Sequence, residues 1–285
     1  MIFTDTFVYI HQPKTGGTFV TTALKTIHRK GDRRNLPTRL WNAVRGLQRP
    51  KPPLHLYTNK YGRLVQWNKH GTCAEIPGSH RGKRILASVR NPYDQYVSQY
   101  EFGWWKRKEY LRYFRAVPEF QKAHPNFPDI SFEQYVLLIN RAFCENGQSG
   151  RGVGFHTTEF VRFYFRDPPK ALSELDEVYV ASRKYEDDMC DVHFIRTDQL
   201  NSELYQFLLS VGYQREDIEF ILGLGKIVYR GKGRSAEQKW EKYYTPELKQ
   251  FVRTRERLLF KMFPEFDEPR AEAPQALVRG AGSSQ

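Results

Sequence analysis

Short apolar runs that end in turn residues alternate along this chain with stretches of helical period. Phe7–His11 (FVYIH) is β-branched and aromatic and stops at Gln12-Pro13, which predicts a buried strand. Lys14–Thr18 (KTGGT) is a Gly-centred turn, and Phe19–His28 then reads as a helix. Ile85–Arg90 (ILASVR) predicts a second strand. Asn91-Pro92 follows it, and Pro suits the first turn of a helix over Tyr93–Phe102. Helical periods recur at Phe132–Phe143, Thr157–Phe165, Leu200–Val211, Asp217–Leu222 and Pro246–Met262, the last opened by Thr245 as an N-cap. Glu177–Ala181 (EVYVA) and Val192–Arg196 (VHFIR) read as two more strands. Strands alternating with helices argue for an α/β fold with a central, mostly parallel sheet and helices on both faces. In such folds ligands bind beyond the carboxyl ends of the strands.

Composition narrows the class. With 285 residues, 40% hydrophobic and 15% aromatic, the chain has the material for a sizeable core, and wholesale disorder is excluded. Every apolar run is cut well short of the roughly 20 residues that cross a bilayer. No basic-then-apolar leader opens the chain, and no Asn-x-Ser/Thr sequon occurs. Cys73, Cys144 and Cys190 form no CxxC pair, so neither a disulfide framework nor a structural zinc site is expected. These absences predict a cytoplasmic protein without a membrane span. No repeat is visible, and residues 1–266 read as a single domain. Within it, residues 29–69 form an irregular basic excursion, a candidate acceptor region, and residues 267–285 read as a disordered tail. The formal charge of +13 points to an anionic ligand: nucleic acid, acidic polysaccharide or a phosphate-bearing cofactor.

Two clusters fall at predicted strand ends. In His11-Gln12-Pro13-Lys14-Thr15-Gly16-Gly17-Thr18, the glycines let backbone N–H groups pass close to an anion at a helix N-terminus, while Lys14, Thr15 and Thr18 add a cation and two hydroxyls. A Walker A loop is excluded, because Lys14 precedes the glycines. The second strand ends in Arg90, not in an acid that would hold magnesium, and a basic side chain there suits a second phosphate. With Pro92 opening the helix, Ser98 lies nearly two turns in, and Arg90 and Ser98 converge on one anion.

Taken together, PKTGGT and RNPYDQYVS resemble the sulfotransferases that use 3′-phosphoadenosine 5′-phosphosulfate (PAPS), most closely the carbohydrate-type, family 2-like enzymes in their soluble bacterial form. The resemblance is strong over residues 7–28 and 84–102, weaker at 192–212 and 226–263. It implies a P-loop-NTPase-like three-layer fold, PAPS as co-substrate and no metal. Carried over by position, it implies that Lys14, Thr15, Gly16, Gly17 and Thr18 bind the 5′ end and that Arg90 and Ser98 bind the 3′-phosphate. A late basic loop closes the nucleotide site in many members. Here the matching stretch is Tyr229–Ser235, with Arg230, Lys232 and Ser235 as its ligands, at a spacing that departs from the family's usual form.

Sulfuryl transfer needs a base for the acceptor hydroxyl and a cation for the leaving oxygen. Lys14 suits the second role. Of eight histidines, His70 stands 20 residues before Arg90, as a catalytic His does in the uronosyl-type relatives, and is expected to be the base. His11, Glu75 and Glu101 are the alternatives. Trp104-Trp105 reads as core packing or as an aromatic wall against a sugar. The expected reaction moves a sulfuryl group from PAPS to a hydroxyl of a glycan, itself anionic if the basic excursion receives it. The partners are thus a nucleotide donor and a hydroxyl acceptor, with no nucleic acid. The rival readings are a basic polyanion- or nucleic-acid-binding module and a degenerate P-loop kinase.

Overall fold

The architecture comes from a computed structural model in which residues 1–32, 57–58, 64–65, 70–107, 122–145, 152–227 and 234–267 are described. It is an α/β fold. Strands β1 (Ile2–Phe3), β2 (Phe7–Ile10), β5 (Arg84–Val89) and β6 (Val192–Arg196) form a mixed sheet in the order β1-β2-β5-β6. β2, β5 and β6 are parallel, with Phe7 opposite Arg84 and Ile85 opposite Val192, while β1 runs antiparallel to β2. The hydrophobic pattern does not reveal β1, which is only two residues long. Thr4 makes its turn: its Oγ1 accepts from the Phe7 N–H (2.9 Å). Within the predicted excursion, β3 (Tyr57–Thr58) pairs antiparallel with β4 (Leu64–Val65). Most of the rest of that excursion, and residues 268–285 of the predicted tail, lie outside the described residues.

Alternation along the strands divides the core. Val8, Ile10, Ala87 and Val89 pack into one apolar cluster, together with side chains of α2 (Pro92–Phe102), α3 (Phe132–Asn140) and α4 (Phe155–Tyr164). Phe7, Tyr9, Leu86 and Ile195 pack into another, with α1 (Gly17–Asp32) and, further along the chain, Leu204, Phe207 and Leu208. Trp105 is fully buried in the first cluster, near the rings of Tyr100, Phe127 and Tyr135, and Trp104 donates to the Tyr135 hydroxyl (3.2 Å). Trp105 is therefore core, and Trp104 packs half-buried against the same cluster.

Two expectations are corrected. Glu177–Ala181 is not a strand. After α5 (Pro168–Glu174) it forms the short helix α6, and α7 (Tyr185–Asp188) follows. Asp176 caps α6 by accepting from the Tyr179 N–H (2.7 Å). Tyr179 and Val180, adjacent in sequence, are both buried while Val178 is 75% exposed, which no strand alternation produces. The cap and this packing override the strand preference of the β-branched residues. Second, after α8 (Leu200–Ser210) and α9 (Arg215–Ile218), the last predicted helix is broken into α10 (Pro246–Arg255) and α11 (Arg257–Met262). The break falls at Glu256, whose side chain turns inward. Its carboxylate accepts from the Tyr96 hydroxyl and from the backbone N–H groups of His156 (3.1 Å) and Thr157 (2.6 Å), at the start of α4. A Cβ on Gly154 would lie 2.3 Å from that carboxylate, so the residue before α4 has to be glycine.

Candidate functional site

The carboxyl ends of β2, β5 and β6 lie along one edge of the sheet, and a polar cluster gathers there. The turn after β2 holds Lys14 at φ +66° and Gly16 at φ +87°. Left-handed backbone is strained for lysine and natural for glycine. At Gly16 a Cβ would stand 2.4 Å from Leu200 Cδ1, and at Gly17 it would stand 1.9 Å from the His11 ring. The glycines therefore admit Leu200 on one side and His11 on the other. Thr15 is buried, donating to the Gln12 carbonyl (2.9 Å) and sharing a hydrogen bond with Ser88 Oγ (3.1 Å). Gly17 and Thr18 open α1, which has no acidic residue in its first turn. That N-terminus carries the positive end of a helix dipole.

Arg90 joins this turn to α2. Its Nη1 donates both to the Lys14 carbonyl (3.0 Å) and to Ser98 Oγ (3.0 Å), and Gln95 Nε2 donates to the Pro13 carbonyl (3.2 Å). The two clusters singled out in the sequence thus meet at one guanidinium. Thr197, just past β6, completes the edge: its hydroxyl lies on the Val89 carbonyl (2.8 Å) and near the Thr15 carbonyl (3.3 Å).

Sequence reasoning missed two of the charges here. Asp94, one turn along α2 from Arg90, accepts from Arg90 Nε (2.6 Å) and pairs with Arg90 Nη2 (2.6 Å). Arg234 donates to the other oxygen of Asp94 and, through Nη1, to the Gln238 carbonyl (3.2 Å). The nearby Arg90 and Arg234 outweigh burial and hold the Asp94 carboxyl below its ordinary value. The i,i+4 spacing of Arg90 and Asp94 was legible, whereas the Asp94–Arg234 pair spans 140 positions and leaves no local signal. Of the late loop, Ser235 is described: it is exposed, and its N–H donates to Gln238 Oε1 (2.9 Å). Arg230 and Lys232 lie outside the described residues. A cleft of about 420 Å³ opens beside Asp94, lined also by Lys226, Arg234, Ser235 and Trp240.

Lys14 is a stressed cation. Its Nζ lies 4.1 Å from the centre of the Phe102 ring. Burial, then Arg90, Arg234 and Arg107, push its pKa down to about 8.

His70 stands beside the turn. Its Nδ1 lies 2.8 Å from the His11 carbonyl, and the two rings meet edge-on with centres 5.0 Å apart. A carbonyl only accepts, so the His70 Nδ1 carries a proton and donates it to His11. His11 is itself buried against Gly17. Of the carboxylate alternatives, Glu75 accepts from the Thr72 N–H (2.8 Å), and Glu101 accepts from the Tyr243 hydroxyl (2.7 Å) and from Gln238.

The chemistry this edge offers is that of an anion cradle with the His70 imidazole next to it. No group of three or more His, Cys, Asp or Glu residues with metal-holding geometry occurs among the described residues, and none of their helices is long and apolar enough to cross a membrane. Set against models of known families and against curated proteins, the chain matches none of them.

Proposed function

We propose that the protein is a sulfotransferase that moves a sulfuryl group from PAPS to a hydroxyl, on a carbohydrate, within a P-loop-like three-layer frame. The observation that carries this reading is the contact of Arg90 with both the Lys14 carbonyl and Ser98. It joins a glycine-centred turn to a strand-end arginine, an arrangement that suits a nucleotide phosphorylated at two positions. The 5′-phosphosulfate lies on residues 14–18, against the N-terminus of α1 and Lys14. The 3′-phosphate lies at Arg90 and Ser98, where it shares the guanidinium with Asp94.

In the transfer, the acceptor oxygen attacks sulfur as the bond from sulfur to the phosphate oxygen breaks. The acceptor's proton passes to Nε2 of His70. The negative charge growing on the leaving oxygen is met by the Lys14 ammonium. No step needs a metal. The three free thiols agree with a reducing, cytoplasmic setting.

Radiolabelled PAPS offered with a panel of glycans, peptides and lipids tests the proposal. Label should pass to a glycan, and His70→Ala should abolish that transfer while nucleotide affinity holds. Magnesium-dependent turnover of ATP with no labelled product would support the kinase reading. Salt-steep polyanion binding that ignores Lys14→Ala would support a binding module.

A further inference from the structure

The turn between β2 and α1 is held by its carbonyls. Thr15 Oγ1 donates to the Gln12 carbonyl (2.9 Å), Gln95 Nε2 to that of Pro13 (3.2 Å) and Arg90 Nη1 to that of Lys14 (3.0 Å). The Thr197 hydroxyl reaches the Thr15 carbonyl (3.3 Å), and the Gly16 carbonyl accepts from the Phe19 N–H (2.9 Å). Every carbonyl from Gln12 to Gly16 is thus engaged by the protein. A carbonyl oxygen facing an anion would repel it, so engaging them all leaves main-chain N–H groups as what the turn presents. Behind the turn runs a chain of buried hydroxyls. Tyr9 stands opposite Leu86 across the β2–β5 pair, and Ser88 lies two residues further along β5, on the same side of the sheet. Ser88 Oγ lies 3.1 Å from Tyr9 Oη and 3.1 Å from Thr15 Oγ1, and all three residues are fully buried. Proton supply sets the direction of this chain, because each hydroxyl has a single proton to give. The Gln12 carbonyl only accepts, so the Thr15 proton goes there. Ser88 must then donate to Thr15, and Tyr9 to Ser88. The sequence pattern offers the Thr15 hydroxyl to an anion; here its proton is already committed inside the protein.

We propose that Tyr9, Ser88 and Thr15 are positioning residues of the anion cradle. Their hydroxyl chain fixes the turn with its carbonyls inward, and the Thr15 side chain does not touch the bound group. The bound group is held by the main chain of the turn and by Lys14. This rests on the reading of residues 14–18 as the seat of the 5′-phosphosulfate. Nothing local in the sequence joins the three hydroxyls, since Thr15 and Ser88 are 73 positions apart and Tyr9 and Ser88 are 79 apart.

The test compares, by calorimetry on the full chain, adenosine 3′,5′-bisphosphate with adenosine 3′-monophosphate, which carries no phosphate for the turn to hold. Ser88→Ala and Thr15→Val should each weaken the bisphosphate complex roughly fivefold, the worth of one hydrogen bond. Together they should cost no more than either alone, because both cut the same chain. The monophosphate should bind all these variants alike, and Thr15→Ser, which keeps the hydroxyl, should bind the bisphosphate as the native chain does. Weakening by Thr15→Val with none by Ser88→Ala would make the Thr15 hydroxyl a direct ligand and overturn the proposal. So would equal losses for the two nucleotides, the mark of general damage to the fold. Amide hydrogen exchange on the unliganded chain reads the same device without any nucleotide. Ser88→Ala and Tyr9→Phe should speed exchange at residues 14–18 while β6 keeps its native protection. Unchanged exchange in the turn, or a loss of protection shared by β6, would overturn the proposal. Failure of the native chain to bind the bisphosphate would refute the donor reading alone, and the exchange result would still decide the role of the three hydroxyls.

Discussion

Two helix N-termini in this molecule meet the same electrostatic problem and solve it in opposite ways. At α4 the chain supplies its own anion: Glu256, fully buried, accepts from the His156 and Thr157 N–H groups and from Tyr96. Burial raises the Glu256 carboxyl, and these hydrogen bonds pull it back. At α1 the first turn carries no acid, and the neighbouring side chains are Lys14, Arg90 and hydroxyls. One site is a strut, complete in itself. The other gathers Arg90 and Arg234 around Asp94, and burial, then those arginines and Arg107, lowers the Lys14 pKa to about 8. Both grip α2, the strut through Tyr96 and the cradle through Ser98, so the strut fixes the helix on which the proposed 3′-phosphate site is built.

Exchange of the key charges should separate the two sites. Lys14→Ala should lower sulfuryl transfer by about three orders of magnitude, comparable to loss of a preorganised electrostatic donor. In urea denaturation without ligand it should leave stability unchanged or raise it, because it removes a desolvated cation. Glu256→Ala should instead lower stability by about 3 kcal/mol, since three buried donors lose their acceptor. If Lys14→Ala were the strongly destabilising change, the contrast would fail.

Asp94 sharpens the comparison. Judged by charge alone, Asp94→Asn should tighten binding of an anion. If Asp94 instead aligns Arg90 with Arg234, calorimetry should show adenosine 3′,5′-bisphosphate binding roughly tenfold more weakly, about 1.4 kcal/mol. A tighter complex would mean that Asp94 merely opposes the ligand. The Ser98→Ala change deletes one neutral partner and should weaken the same complex only several-fold, about 1 kcal/mol.

Lys14 also fixes a pH dependence. Its folded-state pKa, about 8, lies below that of an exposed lysine, so the free protein loses this proton as pH rises through 8. The anion favours the ammonium, so binding takes up a proton, and affinity should fall above pH 8. Titrations in buffers of different ionisation heat measure that uptake directly. Proton release in its place would remove Lys14 from the site. In the unliganded protein the sign for folding is opposite: between pH 8 and the unfolded value, the unfolded chain holds the extra proton, and stability rises with pH.

The sequence disclosed the parts of this site that are local. β2, β5 and α2 were readable because their runs end at Pro, Gly or an Asn-Pro cap, β6 because its run is β-branched and aromatic, and Arg90 and Ser98 lie at fixed offsets from the Asn-Pro stop. What stayed hidden depends on distant partners. Glu256 reads as one more solvated acid in a charged helix, and only the backbone of α4, about 100 positions earlier, makes it a buried cap. Arg234 was passed over among the late basic residues because Asp94 lies far from it in sequence. Thr197 reads as a loop residue until the ends of β5 and β6 are brought level. The EVYVA segment misled for the converse reason: its local preference was clear, and tertiary packing overruled it.

The most direct measurement compares adenosine 3′,5′-bisphosphate with 5′-AMP, by calorimetry, on the native chain and on Arg90→Ala. The bisphosphate should lose at least tenfold in affinity while 5′-AMP binds both proteins alike, because only one ligand carries a phosphate for Arg90 to hold. Equal losses for the two nucleotides, or no loss for either, would contradict the proposal that the Lys14–Thr18 turn and Arg90 hold the nucleotide at both ends.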